Sequence, residues 1–280
     1  MAKIIKDGES SHWYLPDGSP MHQVAMKKPN AKGETMRNTN IGDARKLGLL
    51  PSVTNILAML DKPQLTDWKI EQAIKACMRL RQRDDESPEE FIKRAFEESK
   101  KPTKKAAGFG IDMHRHAEKY AFDQSYRPDD PSDEPYFGYF TEWFDENVEE
   151  VFYVEKVIVG GGFAGTQDMK ARIRGIGVAT TDFKTRKSFP SPTKKEPDRR
   201  QVRVYDGDGM QLGAYRDADT VMCAQNKTPP PVACVSVLID SIEPGPPFIH
   251  VWDEDELRRL SNAFHHLVGV WQSMKDYAPE

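Results

Sequence analysis

The sequence predicts an α/β or α+β fold in which a central mixed sheet is flanked by helices and the first half of the chain is helical. Three observations predict it. Helix starts and helical spacing dominate from about residue 51 to about residue 150. Three β-like segments separated by glycines follow directly. A helix, two strands and a closing helix then complete the order βββ–α–ββ–α. With 280 residues the chain can bury a full core.

Residues 1–50 are rich in turn formers and charge and read as an extension. His12–Tyr14, Pro16-Asp17-Gly18 and Met21–Met26 predict a short hairpin, followed by a loop over Lys27–Asn40. A helical region spans 51–150. Ser52 suits an N-cap after Pro51, and a second helix is expected over about Pro63–Arg83, with Leu65, Trp68, Ala73 and Ile74 near helical spacing. Ser87-Pro88-Glu89-Glu90 combines a cap, a first-turn proline and first-turn acids. Longer helices are expected over Thr103–Phe122 and Glu134–Glu149.

The last part, 151–280, forms the core, in one integrated domain that starts near residue 51. Its expected strands are Val151–Val159, Gly165–Arg174 and Ile176–Thr185. A Pro- and Lys-rich connection, 186–208, leads to a helix at Met210–Gln225. Strands at Val232–Ile239 and Phe248–Trp252 and a helix at Asp253–Tyr277 close the chain. Asp206-Gly207-Asp208-Gly209 reads as a turn, because the remaining ligand spacing of a calcium loop is absent.

Composition excludes several classes. No run approaches the roughly 18 apolar residues of a membrane span. The N-terminus has no apolar signal-peptide region, and Asp7, Glu9 and Asp17 do not suit a transit peptide. Cys77, Cys223 and Cys234 are the only three cysteines and make no metal-binding pair. The net charge of −4 speaks, over the whole chain, against a polyanionic partner.

Local patterning points elsewhere. If the second and third strands form a hairpin centred near Gly175, Asp168 faces Asp182 across the ladder, and Lys184 shares the Asp182 face. Opposed carboxylates repel. A hard divalent cation, Mg²⁺ or Mn²⁺, is the natural compensation. An ammonium beside it, Lys184, suits phosphodiester hydrolysis. Upstream, His114 lies on a helix framed by Gly110 and by Glu118 on its own face, and can add an imidazole ligand. Gln211 and Tyr215 share a helix face and can bond phosphate or brace the hairpin. Lys170–Arg203 holds eleven basic residues against three acidic ones, +8 locally, leaving −12 for the rest of the chain. Within it Arg186, Lys187, Lys194, Lys195, Arg199 and Arg200 are expected to track a phosphate backbone, helped by the lysines of 100–105. Trp13, Tyr14, Trp68, Phe109 and above all Phe189 are candidate base-stacking side chains.

His114, Gly165-Thr166-Gln167-Asp168, Asp182-Phe183-Lys184 and Gln211…Tyr215 stand in the order of the RecB-like branch of the PD-(D/E)XK nuclease superfamily, which this chain resembles. Pro51-Ser52-Val53-Thr54-Asn55-Ile56-Leu57 is also similar to phage exonucleases related to the mitochondrial genome maintenance exonuclease. The likeness covers about residues 108–220, extended to about 50 by that lead.

The resemblance implies a restriction-endonuclease-like core. Its ligands for one or two Mg²⁺ or Mn²⁺ ions would be His114, Asp168, Asp182 and the Phe183 carbonyl, with Lys184 the catalytic lysine. Gln211 and Tyr215 would face substrate or brace the core, and Glu118 and Glu155 would support the ligands from behind. Some relatives carry an iron–sulfur cluster on four cysteines; none is expected with three. The implied activity is exonucleolytic, on single-stranded DNA in replication, recombination or repair. Duplex ends, flaps and RNA stand as alternatives. A single-strand-binding or recombination protein is a possible further partner. The expected state is a cytoplasmic monomer in a bacterial or phage-infected cell. Rival readings are a non-catalytic binding protein of the same fold and a restriction-type endonuclease.

Overall fold

A computed structural model describes residues 12–30 and 33–279. Residues 1–11, where the extension was expected to begin and where Asp7 and Glu9 fall, lie outside the described residues. The chain opens with β1 (Trp13–Tyr14), β2 (Gln23–Ala25), β3 (Met36–Asn38), α1 (Ile41–Leu47) and β4 (Leu50–Pro51). The expected hairpin is kept around its turn, and its strands also pair in two further ladders: β1 with β4, and β2 with β3. At the turn Tyr14 bridges Pro20, Leu15 N–H donates to Ser19 O at 2.8 Å and Met21 N–H donates to Trp13 O at 2.7 Å. Burial explains the added β1–β4 ladder. Trp13 is completely buried and packs on Trp271 of the last helix at 6.1 Å between ring centroids, so β1 follows the core as well as its sequence neighbour. Helix α1 was not expected. Asn40 and Asp43 close a capping box at its start, and Gly48, at φ 67°, supplies the left-handed residue at its end.

The helical region follows as α2 (Val53–Leu57), α3 (Pro63–Arg79), α4 (Pro88–Ser99), α5 (Lys101–Phe122) and α6 (Glu134–Asn147). Ser52 Oγ accepts the Asn55 N–H, and Ser87 and Glu90 form a capping box on α4. Next come β5 (Val148–Gly160), β6 (Phe163–Ile173), β7 (Gly177–Arg186), β8 (Phe189–Pro190) and β9 (Arg200–Gln201). The chain ends with α7 (Asp206–Asn226), β10 (Ala233–Asp240), β11 (Phe248–Val251) and α8 (Glu254–Lys275). The Asp206–Gly209 stretch, expected as a turn, is the first turn of α7: Asp208 accepts the Tyr205 N–H and favours the helix start.

Five strands form the central mixed sheet in the order β11-β10-β7-β6-β5, with β7 and β10 parallel and the other neighbours antiparallel. The β6–β7 pairs Met169↔Thr181 through Ile173↔Gly177 give the register expected from a centre at Gly175. Strand alternation then sorts the side chains. Met169, Ala171, Phe183 and Val237 turn toward α5 and α6, where Phe137, Phe140 and Phe144 complete one core. The opposite face, with Ile158 and Phe163, packs under α7 and α8 and also takes Trp13, Ala44 and Leu49. The N-terminal segment is therefore built into this second core.

Lys170 corrects the charge reading. It is fully buried, and its Nζ donates to Asp219 Oδ2 and Cys223 Sγ of α7, both at 2.8 Å. It belongs to no surface stripe. Removing one partner of a buried ion pair strands the other charge. Lys170→Met should therefore cost about 3–5 kcal/mol in urea unfolding. Combining it with Asp219→Leu should recover most of the loss, and simple addition of the two penalties would contradict the buried pair.

Candidate active site

The site lies where β6 and β7 part. Their ladder ends at Met169↔Thr181, and the same register places Asp168 opposite Asp182 one step further. The Phe183 N–H donates to Asp168 Oδ2 at 2.7 Å. Both carboxylates are deeply buried, Asp168 at 6% and Asp182 at 2% exposure.

Three elements converge on them. Helix α5 brings His114, whose Nε2 lies 2.9 Å from Asp168 Oδ2 while Nδ1 contacts Glu118 one turn on. Gly110 permits this approach, because a Cβ there would meet Thr185 Oγ1 at 2.9 Å. Strand β5 brings Glu155, which the flanking pairs Val154↔Met169 and Lys156↔Gln167 set across from Asp168. Glu155 has φ 50°, a left-handed conformation that costs about 1–3 kcal/mol for such residues and tends to occur at functional positions. Strand β7 brings Lys184, whose Nζ donates to Asp182 Oδ1 at 2.6 Å. Asp182 Oδ2 is buried without a partner.

Among the described residues, His114, Glu155 and Asp168 offer ligand atoms all within 4.8 Å of one another, a candidate cation cradle. Glu155, expected to support the ligands from behind, brings a carboxylate oxygen into this trio. Asp182 lies outside that trio, beside Lys184. Glu118 keeps its expected place behind His114.

Electrostatics shows a deficit of positive charge. Four carboxylates (Glu118, Glu155, Asp168, Asp182) face two cations (His114, Lys184). Burial alone would lower His114, but hydrogen bonds to Asp168 and Glu118 hold it at about 10. Glu155 is raised by burial and by the charges of Glu118 and Asp168. Asp182 is raised by burial and by Asp168, although Lys184 pulls the other way. Burial opposes the charge of Lys184, yet Asp182 and Asp168 raise it above its ordinary value. The hard donor set, the net deficit and the orphan oxygen on Asp182 all fit a divalent cation.

Tyr215 is buried and acts as a brace. Its hydroxyl and ring occupy the space beside Gly165, where a Cβ would fall 2.6 Å from the hydroxyl and 2.8 Å from the ring. Burial and the charges of Asp168 and Asp182 keep the phenol neutral, while Gln211 hydrogen-bonds to it. Tyr14 is a contributor that sequence reasoning misplaced. It is 3% exposed, which excludes base stacking, and its hydroxyl bonds Thr166 Oγ1 at 3.1 Å and faces Glu155. No sequence signal marks that role, because it depends on the β1–β4 ladder. Trp13 is likewise buried, and Phe109 packs on Tyr136 at 4.9 Å between ring centroids.

The basic residues divide. Arg186 donates twice to Asp208, within 2.8 Å, and Arg200 is held by Ser188, Asp240 and Glu243. Neither is the free phosphate contact that was expected. Arg172 and Arg174 pair with Glu150 and Glu149 near the Gly175 end of the hairpin, away from Lys184. Lys187, Lys194, Lys195 and Arg199 are exposed, with Arg199 loosely paired to Glu196 at 3.7 Å. Lys100 and Lys101 pair with Glu97 and Glu98, and Lys101, Lys104 and Lys105 are exposed.

Comparison with known families and with characterised proteins gives no match for this chain. No described helix is long and apolar enough to cross a membrane.

Gly165 offers a direct check of the brace. Gly165→Ala should displace Tyr215 and lower unfolding stability by about 1–3 kcal/mol. Gly161→Ala, where nothing lies within 4 Å of the new Cβ, should change it little. Equal stability of the two variants would exclude the close approach of Tyr215.

Proposed function

We propose that the chain is a metal-dependent deoxyribonuclease of the RecB-like branch of the PD-(D/E)XK superfamily, acting exonucleolytically on single-stranded DNA. The observation that carries this reading is the buried, charge-deficient cluster around Asp168 and Asp182, with Lys184 beside it and one Asp182 oxygen unpartnered. A surface charge pair does not need that burial or that excess of carboxylates.

Asp168, Asp182 and the Phe183 carbonyl would hold Mg²⁺ or Mn²⁺ together with His114, whose Nε2 would first give up its proton to solvent, and Glu155 is close enough to join them. When bound, the ion supplies Lewis acidity toward the phosphoryl oxygens and makes water more acidic. Lys184 acts as a fixed cation, its Nζ held against Asp182 Oδ1 at 2.6 Å. It orients the attacking water and offsets charge that develops on the phosphate. Asp182 Oδ1 holds that ammonium in place. Glu118 fixes the His114 ring through Nδ1, leaving Nε2 directed at Asp168. Tyr14 and Tyr215 are buried nearby, Tyr14 bonded to Thr166 and Tyr215 seated against Gly165.

Cleavage should be measured on end-labelled linear DNA and on closed circles, single- and double-stranded, with Mg²⁺, Mn²⁺ or EDTA. Linear single strands are expected to disappear only with metal, and circles to survive. Cut circles would reject the exonuclease reading, and binding without cleavage would favour the non-catalytic protein. Asp182→Ala and Lys184→Ala should each lose about 100- to 1,000-fold in rate, with DNA binding largely kept in Lys184→Ala.

Metal binding has its own readout. Mn²⁺ at about 100 times its Kd should stabilise the native state by about 2.7 kcal/mol, seen as a higher thermal midpoint reversed by EDTA. Asp168→Asn should abolish that rise. A wild-type midpoint indifferent to Mn²⁺ would overturn the metal assignment.

A further inference from the structure

The connection after Lys184 is an ordered hairpin. Strands β8 and β9 pair through Phe189↔Gln201 and Pro190↔Arg200. Beyond them Ser191 N–H donates to Arg199 O at 2.8 Å, and a turn at Thr193–Glu196 carries Lys194 and Lys195 to the tip. Both lysines are exposed, as are Lys187 at the base and Arg199 on the returning limb. Phe189 is half-buried under the Arg203 guanidinium, 5.3 Å from ring centroid to Cζ.

Two paired residues per strand are too few to hold a hairpin in one direction. Among the described residues, no side chain of 187–203 enters a hydrophobic cluster. An open pocket of about 300 Å³ lies between Pro190, Pro197 and Arg199 of the hairpin and Glu243. What fixes it is polar. Asp240, at the end of β10, accepts from Ser188 N–H at 3.1 Å and from Ser188 Oγ. Arg200 Nε donates to the same Ser188 Oγ at 2.7 Å, and its guanidinium lies 3.3 Å from Glu243. Asp240 is also the register partner of Arg186, two pairs beyond Leu238↔Lys184. The anchor therefore stands at the same sheet end as Lys184.

We propose that this hairpin is a finger that guides a single nucleic-acid strand toward Lys184 along its phosphates, aimed by the Asp240–Ser188–Arg200 relay. The proposal rests on the nucleic-acid reading given above. Lys187, Lys194, Lys195 and Arg199 supply the contacts. Arg200 and Asp240 are positioning residues, since each is occupied by the other, by Ser188 or by Glu243. A phosphodiester backbone fits the surface better than an acidic protein, because the cations follow an extended two-stranded arm and Phe189 offers a stacking face beside them.

The relay makes a prediction opposite in sign to charge counting. Asp240→Asn removes a negative charge, which by long-range electrostatics alone should tighten DNA binding. If the relay aims the finger, the same change should weaken binding about 5- to 10-fold, roughly the effect of losing one or two held contacts. Binding is read by fluorescence anisotropy of a labelled single-stranded oligonucleotide in EDTA, titrated with salt. Lys194→Ala combined with Lys195→Ala should reduce the log–log salt slope by about 1.4, at about 0.7 per phosphate. Ser188→Ala, neutral in charge and mild in volume, should act like Asp240→Asn while the thermal midpoint shows both variants folded. Limited proteolysis should nick 192–198 faster in both. Binding by Asp240→Asn equal to or tighter than wild type would overturn the proposal, as would an unchanged slope in the double lysine variant. Preference of the wild type for poly-glutamate over the oligonucleotide would also overturn it, in favour of an acidic protein partner. The two proposals fail separately. Salt-sensitive binding without cleavage rejects the nuclease and leaves the finger, whereas cleavage with an unperturbed Asp240→Asn rejects the finger alone.

Discussion

The structure depends on two carboxylates held side by side at the point where a β-ladder ends. Asp168 and Asp182 face each other one register step beyond Met169↔Thr181, out of solvent. Such an arrangement is unfavourable in isolation, through both repulsion and desolvation. The neighbouring groups answer it in different ways. The Phe183 N–H and His114 Nε2 satisfy Asp168, and Lys184 satisfies one oxygen of Asp182. The other Asp182 oxygen is left over, and Glu118 and Glu155 add further negative charge around it. Stability alone does not call for that surplus, since an apolar pair at 168 and 182 would close the sheet without it.

The rest of the fold can be understood as holding this cluster from both faces of the sheet. Alternation sends Met169 and Phe183 into the α5–α6 core, so the intervening Asp182 must turn toward α7. Helix α5 comes close enough to place His114 because position 110 is glycine, and α7 comes close enough to place Tyr215 because position 165 is glycine. The buried Lys170–Asp219 pair ties β6 to α7 only two residues from Asp168. Each of these contacts fixes an element relative to the ladder end, and none contributes a group to the exposed side.

Much of this was legible in the sequence, for identifiable reasons. Glycines near 175 and alternating polarity set the β6–β7 register, so the opposition of Asp168 and Asp182 followed from counting. Ser52 and Ser87 announced their helices because capping is local chemistry. Tyr14 was not legible, because its neighbour Thr166 is 152 residues away and is reached through a two-residue strand. Glu155 was read as standing too far back, because its left-handed backbone turns it in a way that regular alternation does not anticipate. The basic run misled in a similar manner. Lys170, Arg186 and Arg200 count as charge in a sequence, but their partners Asp219, Asp208 and Asp240 lie at least 22 residues away.

That division of the basic residues sharpens what the acidic whole-chain balance means. A cation paired with a buried acid contributes structure and little external field, whereas an exposed lysine near no acid contributes mostly field. By that criterion the positive surface beside the site contracts from the full Lys170–Arg203 span to the β8–β9 arm and its base. The remainder of the surface is net acidic. At an ionic strength near 0.15 M, screening over about 8 Å limits the attraction to the neighbourhood of that arm. Among the described residues that directly follow Lys184, the exposed cations lie along the segment that leaves β7, so their field acts there.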